Sequence, residues 1–193
     1  MTRRCKYSRE TLETLVEVEI DIDSAGNILI ETPIPFFNHM LITLFTYMNA
    51  TATVRVVDKK PYDDHHVVED AAIAIGEALC RCLEDKSGIK RYSHIIMPMD
   101  DALILVAIDI SGRGRSYIDL GLDKIVIGGM NIENVDHFLE TLASRSKTTI
   151  HVVKLRGYNT HHIVEAVFKG LGLAFYDATR IIGNKVISTK GVI

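Results

Sequence analysis

Asp63–Leu79 reads DDHHVVEDAAIAIGEAL, and Asn159–Phe175, nearly a hundred residues later, reads NTHHIVEAVFKGLGLAF. Each stretch is preceded by a short alternating segment, TATVRVV at Thr51–Val57 and TTIHVVK at Thr148–Lys154. Before those lie NHMLITL at Asn38–Leu44 and DHFLETL at Asp136–Leu142. His39 precedes His65 by 26 positions and His137 precedes His161 by 24. A solitary histidine followed by an HHxxE cluster therefore recurs in the same order at nearly the same separation, the mark of one supersecondary unit used twice.

Hydrophobic period supplies the elements of that unit. Alternating apolar residues predict strands at 3–7, 14–21 and 27–31, and helical spacing then takes over at 37–48. A strand at 52–57 and a helix at 66–84 complete the first half. The second half gives strands at 94–98, 103–110 and 116–120, a helix at 135–144, a strand at 149–155 and a helix at 162–179. Each half reads as three strands, helix, strand, helix. Amphipathic helices must bury one face, and the economical arrangement lays them on one side of mainly antiparallel sheets. The expected fold class is α+β with an internal duplication: residues 1–90 form the first half-repeat and 91–193 the second, joined near 87–93 in one compact unit.

The duplicated cluster has a chemical meaning that one copy would lack. On a helix the first histidine and the glutamate four positions later share a face, while the two adjacent imidazoles diverge by about 100°. Neighbouring histidines therefore point toward two different ions. With the solitary histidines the candidate ligands are His39, His65, His66, Glu69, His137, His161, His162 and Glu165, which divided evenly give each ion three nitrogens and one oxygen. Four protein ligands on an octahedral ion leave two open positions, which suits catalysis and not a closed structural site. Imidazole and carboxylate without thiolate are compatible with Mn, Fe, Co, Ni or Zn. His94 and His151 lie outside the pattern and read as ordinary strand residues. Asp70, next to Glu69, reads either as an orienting partner of a ligand or as a solvated helix charge.

Bulk properties exclude several classes. The chain has 193 residues, 47% hydrophobic and 24% charged, enough to bury a sizeable core. Its formal net charge of −3, without a basic run interleaved with aromatics, gives no footprint for nucleic acid. No apolar stretch approaches the roughly 20 residues of a spanning helix, and MTRRCKYSRE has no apolar core behind its basic residues; no membrane partner and a cytoplasmic location are expected. Cys5, Cys80 and Cys82 have no zinc-ribbon spacing and read as reduced thiols. GLGLAF at 170–175 fails as a dinucleotide fingerprint because it lies inside a helix, and SGRGRS at 111–116 reads as a turn between strands.

RETLET at Arg9–Thr14, FFNHML at Phe36–Leu41, DDHHVVED at Asp63–Asp70, PMDDA at Pro98–Ala102, SGR at Ser111–Arg113, HHIVEAVFK at His161–Lys169 and STKG at Ser188–Gly191 together resemble the imidazoleglycerol-phosphate dehydratase family over essentially the whole chain. The resemblance implies a histidine-biosynthesis lyase that converts imidazoleglycerol phosphate to imidazoleacetol phosphate and water. It implies two Mn(II) ions per site that hold the substrate as imidazolate, and active sites formed between subunits of a 24-subunit homo-oligomer of trimers. Ring charge then expels the neighbouring hydroxyl through a diazafulvene, after which a carboxylate moves the proton. By motif match Glu13 is the candidate acid/base, with Glu69 and Glu165 also in the catalytic group. Arg91, Arg113, Lys169, Ser188 and Lys190 are the candidates for holding the phosphate.

The chain departs from the family pattern at Asn38, where aspartate is usual, at TPIPF (Thr32–Phe36), at Asp101, where glutamate is usual, and at Thr43, near a usual glutamine. Two other readings of the clusters exist. A binuclear hydrolase would carry a carboxylate-rich bridge, whereas nitrogen dominates here; a noncatalytic metal-storing protein would bind the ions without turnover.

Overall fold

The computed structural model describes residues 2–84 and 86–193. Strands β1 (Arg4–Glu10), β2 (Thr14–Asp21) and β3 (Ile28–Glu31) are followed by helix α1 (Pro35–Tyr47), strand β4 (Thr51–Asp58) and helix α2 (His65–Leu83). The second series is β5 (Tyr92–Met99), β6 (Ala102–Asp109), β7 (Arg115–Asp119), the short pair β8 (Val126–Ile127) and β9 (Met130–Asn131), α3 (Asn134–Ser146), β10 (Thr149–Arg156) and α4 (Thr160–Thr179). The expected order holds in both halves, with the β8–β9 hairpin added in the second.

The two four-stranded sheets repeat one topology, β1-β2-β4-β3 and β5-β6-β10-β7. In each, three strands run antiparallel and the last, β3 or β7, lies parallel to its neighbour. Alternation sets the inward faces: Val16, Val18 and Ile20 of β2 and Ala52, Val54 and Val56 of β4 are buried, as are Ile104, Val106 and Ile108 of β6. Helix α2 covers the first sheet and α4 the second, and the helical layers meet between them, α2 on α3 and α1 on α4. Every helix is thus shared between a sheet and a helix of the other half, and one continuous core results.

Glycines at equivalent places allow the helices to meet closely. Gly76 and Gly172 each lie seven residues after the glutamate of an HHxxE cluster. A Cβ on Gly172 would come 2.4 Å from the Leu44 carbonyl oxygen of α1, and one on Gly76 would come 2.6 Å from Cβ of Arg145 in α3. The second glycine of GLGLAF is therefore a helix-crossing residue. Ser111–Arg113 forms the β6–β7 connection with Gly112 at φ 75°, as the turn reading expects. All three cysteines are free thiols, and among the described residues no helix is long and apolar enough to cross a membrane.

Candidate metal centre

The crossings of α1 with α4 and of α3 with α2 pair the histidines across the repeats. His39 of α1 joins His161 and Glu165 of α4, and His137 of α3 joins His65 and Glu69 of α2. Within each trio one donor atom per residue lies within 4.8 Å of the others. The solitary histidine of either half thus completes the cluster of the other, a pairing that spacing left open. His39 Nε2 is 3.7 Å and His161 Nε2 3.2 Å from Glu165 Oε2. His137 Nε2 is 3.4 Å from Glu69 Oε1, and the His65 and His137 rings stack at 4.3 Å between centroids.

This donor set fits a divalent transition ion. His137 Nε2 is buried with no hydrogen-bond partner, and burying an unsatisfied polar atom costs about 1–3 kcal/mol. A cation between it and Glu69 would remove that cost. Two neutral imidazoles and one carboxylate are also the mixed nitrogen and oxygen environment that such ions accept.

The second histidine of each cluster lies outside the trios. His66 Nε2 is 3.1 Å from Asp58 Oδ1 and its Nδ1 is 3.4 Å from Asp63 Oδ1. Burial alone would lower the His66 pKa, but these two carboxylates outweigh it and hold the ring above its ordinary value. His162 Nδ1 is 2.6 Å from Asp101 Oδ1. Asp101 Oδ2 also accepts the backbone N–H groups of Tyr158 and Asn159, at 2.7 and 3.0 Å. Those N–H groups, and then His162, hold its carboxyl far below the usual carboxylate range. The shorter acid at 101 therefore still reaches a candidate ligand.

One of the phosphate candidates neighbours a trio. Lys169 donates to Glu165 Oε1 at 2.9 Å, beside the Tyr47 ring at 5.6 Å. Burial would raise the Glu165 pKa, but the ammonium, with His39 and His161, holds it below the ordinary value. Within one chain Lys169 does not line the cleft that the other phosphate candidates share. Arg91, Arg113, Ser188 and Lys190 do converge, lining a cleft of about 570 Å³ with Ser111 and Tyr92. Arg91, in the left-handed region at φ 75°, is anchored there by Asp109 Oδ1 at 2.7 Å and the Ile187 carbonyl at 2.5 Å.

Glu13 is exposed in the β1–β2 turn, where its carbonyl accepts from Lys59 N at 2.7 Å. That turn adjoins the end of β4, which carries the Asp58 facing His66. Asp70 follows neither reading offered for it: buried, it accepts Arg9 Nε at 2.8 Å and the Thr14 hydroxyl, tying α2 to β1 and β2. Asn38 accepts from Thr32 N at 2.9 Å and donates to Thr32 O at 3.0 Å, closing the loop before α1. Thr43 donates to the His39 carbonyl at 2.9 Å. His94 and His151 sit on the second sheet, His151 stacked on Tyr117 at 4.6 Å.

Sequence reasoning missed Asp64, Asn131 and Asn134. The Asp64 carboxylate accepts Asn131 N and Nδ2 at 2.6 and 2.5 Å and Asn134 Nδ2 at 2.9 Å. Asn134 Oδ1 then lies 3.0 Å from His65 Nδ1. In the chain Asp64 reads as an ordinary helix cap, a bond its side chain does not make to α2.

Known proteins resemble this chain in sequence over its whole length. The family model described as imidazoleglycerol-phosphate dehydratase matches residues 32–175. The chain is 58% identical to the protein of that name from Saccharolobus islandicus over 193 residues, all of both chains. It is 54% identical to that from Sulfurisphaera tokodaii over 190 residues, 98% of each. The crystal structure of the Pyrococcus furiosus enzyme in complex with (S)-C348 matches with a TM-score of 0.84 at 37% identity, covering 97% of this chain and 100% of that one. The Staphylococcus aureus structure matches with a TM-score of 0.83 at 31% identity, covering 92% and 99%. Duplicated fold, histidine clusters and full-length identity lead to one conclusion: the chain belongs to the imidazoleglycerol-phosphate dehydratase family.

Proposed function

We propose that this chain is a metal-dependent hydro-lyase that removes water from imidazoleglycerol phosphate to give imidazoleacetol phosphate in histidine biosynthesis, at a dinuclear centre. The reading is carried by the two reciprocal trios of imidazole, imidazole and carboxylate in a chain of this family. His39, His161 and Glu165 would hold one ion and His65, Glu69 and His137 the other. His66 and His162, turned away from the trios of their own chain, would supply the further nitrogen to ions held by neighbouring copies. Mn(II) is the proposed metal; when bound, it supplies Lewis-acid stabilisation of negative charge on the substrate's imidazole ring.

The chain's own groups do the rest. Glu13 is free in its turn to move the proton from the carbon that bears the second hydroxyl. Arg91, Arg113, Ser188 and Lys190 offer fixed cations and a hydroxyl to the phosphate. Lys169 pairs with Glu165 at the centre and stays a candidate for the phosphate of a site shared between copies. A homo-oligomer of trimers is part of the proposal. The outer face of the second sheet supports it: Tyr92, Ile96, Tyr117 and Leu155 are about half exposed there, whereas the first sheet turns Lys6, Glu17, Glu19 and Arg55 outward.

The test is turnover of imidazoleglycerol phosphate by the chain stripped of metal and then reloaded with Mn(II). Formation of imidazoleacetol phosphate only after reloading is expected. No turnover by reloaded protein would overturn the reading, and release of inorganic phosphate in its place would turn the centre into a phosphoesterase.

A further inference from the structure

The two trios are related by the duplication but are not chemically equal. Three residues before the solitary histidine of each repeat stand Phe36 and Asn134, and each reaches the first histidine of the opposite cluster. Asn134 Oδ1 is 3.0 Å from His65 Nδ1. Phe36 sets its ring against His161, centroids 5.2 Å apart. The orientation of the Asn134 amide is determined, because its Nδ2 donates to an acceptor-only carboxylate at Asp64 Oδ2. Oδ1 therefore faces His65, and His65 Nδ1 must be the donor. That places the lone pair of neutral His65 on Nε2, the tautomer and ring setting a metal ligand needs.

A second difference acts in the same direction. Four residues after the glutamate of each cluster stand Ile73 and Lys169. Ile73 is buried and apolar, while the Lys169 ammonium sits 2.9 Å from Glu165 Oε1. A fixed cation on the carboxylate repels an incoming ion and occupies one of its oxygens. The anchor for Asn134 comes from the element that breaks the duplication, since Asn131 of the β8–β9 hairpin binds both oxygens of Asp64.

We infer that the two metal positions are unequal, the His65, Glu69 and His137 trio binding the tighter, first ion and the His39, His161 and Glu165 trio the weaker, second one. Asn134 is a positioning residue for the first, and Lys169 is the group that weakens the second. The inference rests on the dinuclear reading above and concerns how that centre fills.

Calorimetric titration of the metal-stripped full-length chain with Mn(II), with free ion counted by its paramagnetic resonance signal, tests it. Two classes of one ion per chain are expected. Asn134→Ala should weaken the tight class by about 10- to 100-fold and leave the other class in place, whereas Lys169→Met should tighten the weak class. Circular dichroism confirms folding of both variants, and either variant tests the assignment without the other. One class of two equal ions in the wild type, or loss of the weak class alone in Asn134→Ala, would overturn the inference. Absence of any Mn(II) binding by the wild type would instead remove the dinuclear reading beneath it.

Discussion

Asn38 replaces a carboxylate with an amide, and the loop before α1 uses both ends of it, one as acceptor from Thr32 N and one as donor to Thr32 O. Aspartate there would keep the first bond and set an anion against the carbonyl. Asn38→Asp should therefore lower unfolding stability by about 1–3 kcal/mol in denaturant melts while leaving Mn(II) content unchanged. His66 carries a pH signature. Its pKa is raised above 6.5 by Asp58 and Asp63 against the effect of burial, so its contribution to stability is full below pH 6.5 and fades as pH rises through the raised value. The metal-stripped chain should lose that increment on going alkaline, and His66→Gln should flatten the profile in melts taken across that window. Lys190, exposed at the rim of the Arg91 cleft, predicts a split of another kind: Lys190→Ala raises KM for the phosphate substrate in steady-state assays and retains metal. The residues that form the trios were readable, because the first histidine and the glutamate of HHxxE share a face on any helix. Asn134 was not, since an asparagine opening a helix looks like an ordinary start signal until tertiary contact supplies its partner.

Helix crossings decide which histidine meets which glutamate. Gly76 and Gly172 have no room for a methyl group against α3 and α1. Gly172→Ala should cost about 1–3 kcal/mol of stability through overpacking and, by shifting α1 against α4, weaken Mn(II) at the His39 trio more than at the His65 trio. Unfolding melts and the same titration measure both effects. Periodicity placed all twelve expected elements, with ends off by a few residues: the first strand runs from Arg4 to Glu10 rather than stopping at 7. The β8–β9 hairpin escaped because its strands are two residues long, too short to alternate, although Gly128-Gly129 between them is a turn signal. Reciprocity between the repeats escaped for a different reason: spacing along the chain fixes a face, not the neighbour that the face will meet.

Across the whole molecule the two sheets present unlike exteriors. Charge pairs such as Lys6 with Glu19 and Arg55 with Glu31 lie on the first, and the second carries the half-exposed Tyr92, Ile96, Tyr117 and Leu155. That patch is the surface that the proposed homo-oligomer would bury. Ile96→Glu should shift the chain toward smaller species in size-exclusion chromatography with light scattering, with its circular dichroism spectrum preserved. An unchanged mass would move the contact elsewhere.

Because each triad borrows one imidazole from the opposite repeat, a polypeptide of half this length could not assemble even a single one alone; it would have to meet its twin. Joining two such copies end to end turns that encounter from a matter of concentration into one of tether length. It also frees each copy to drift apart chemically, an amide here and a phenyl ring there, without losing its mate.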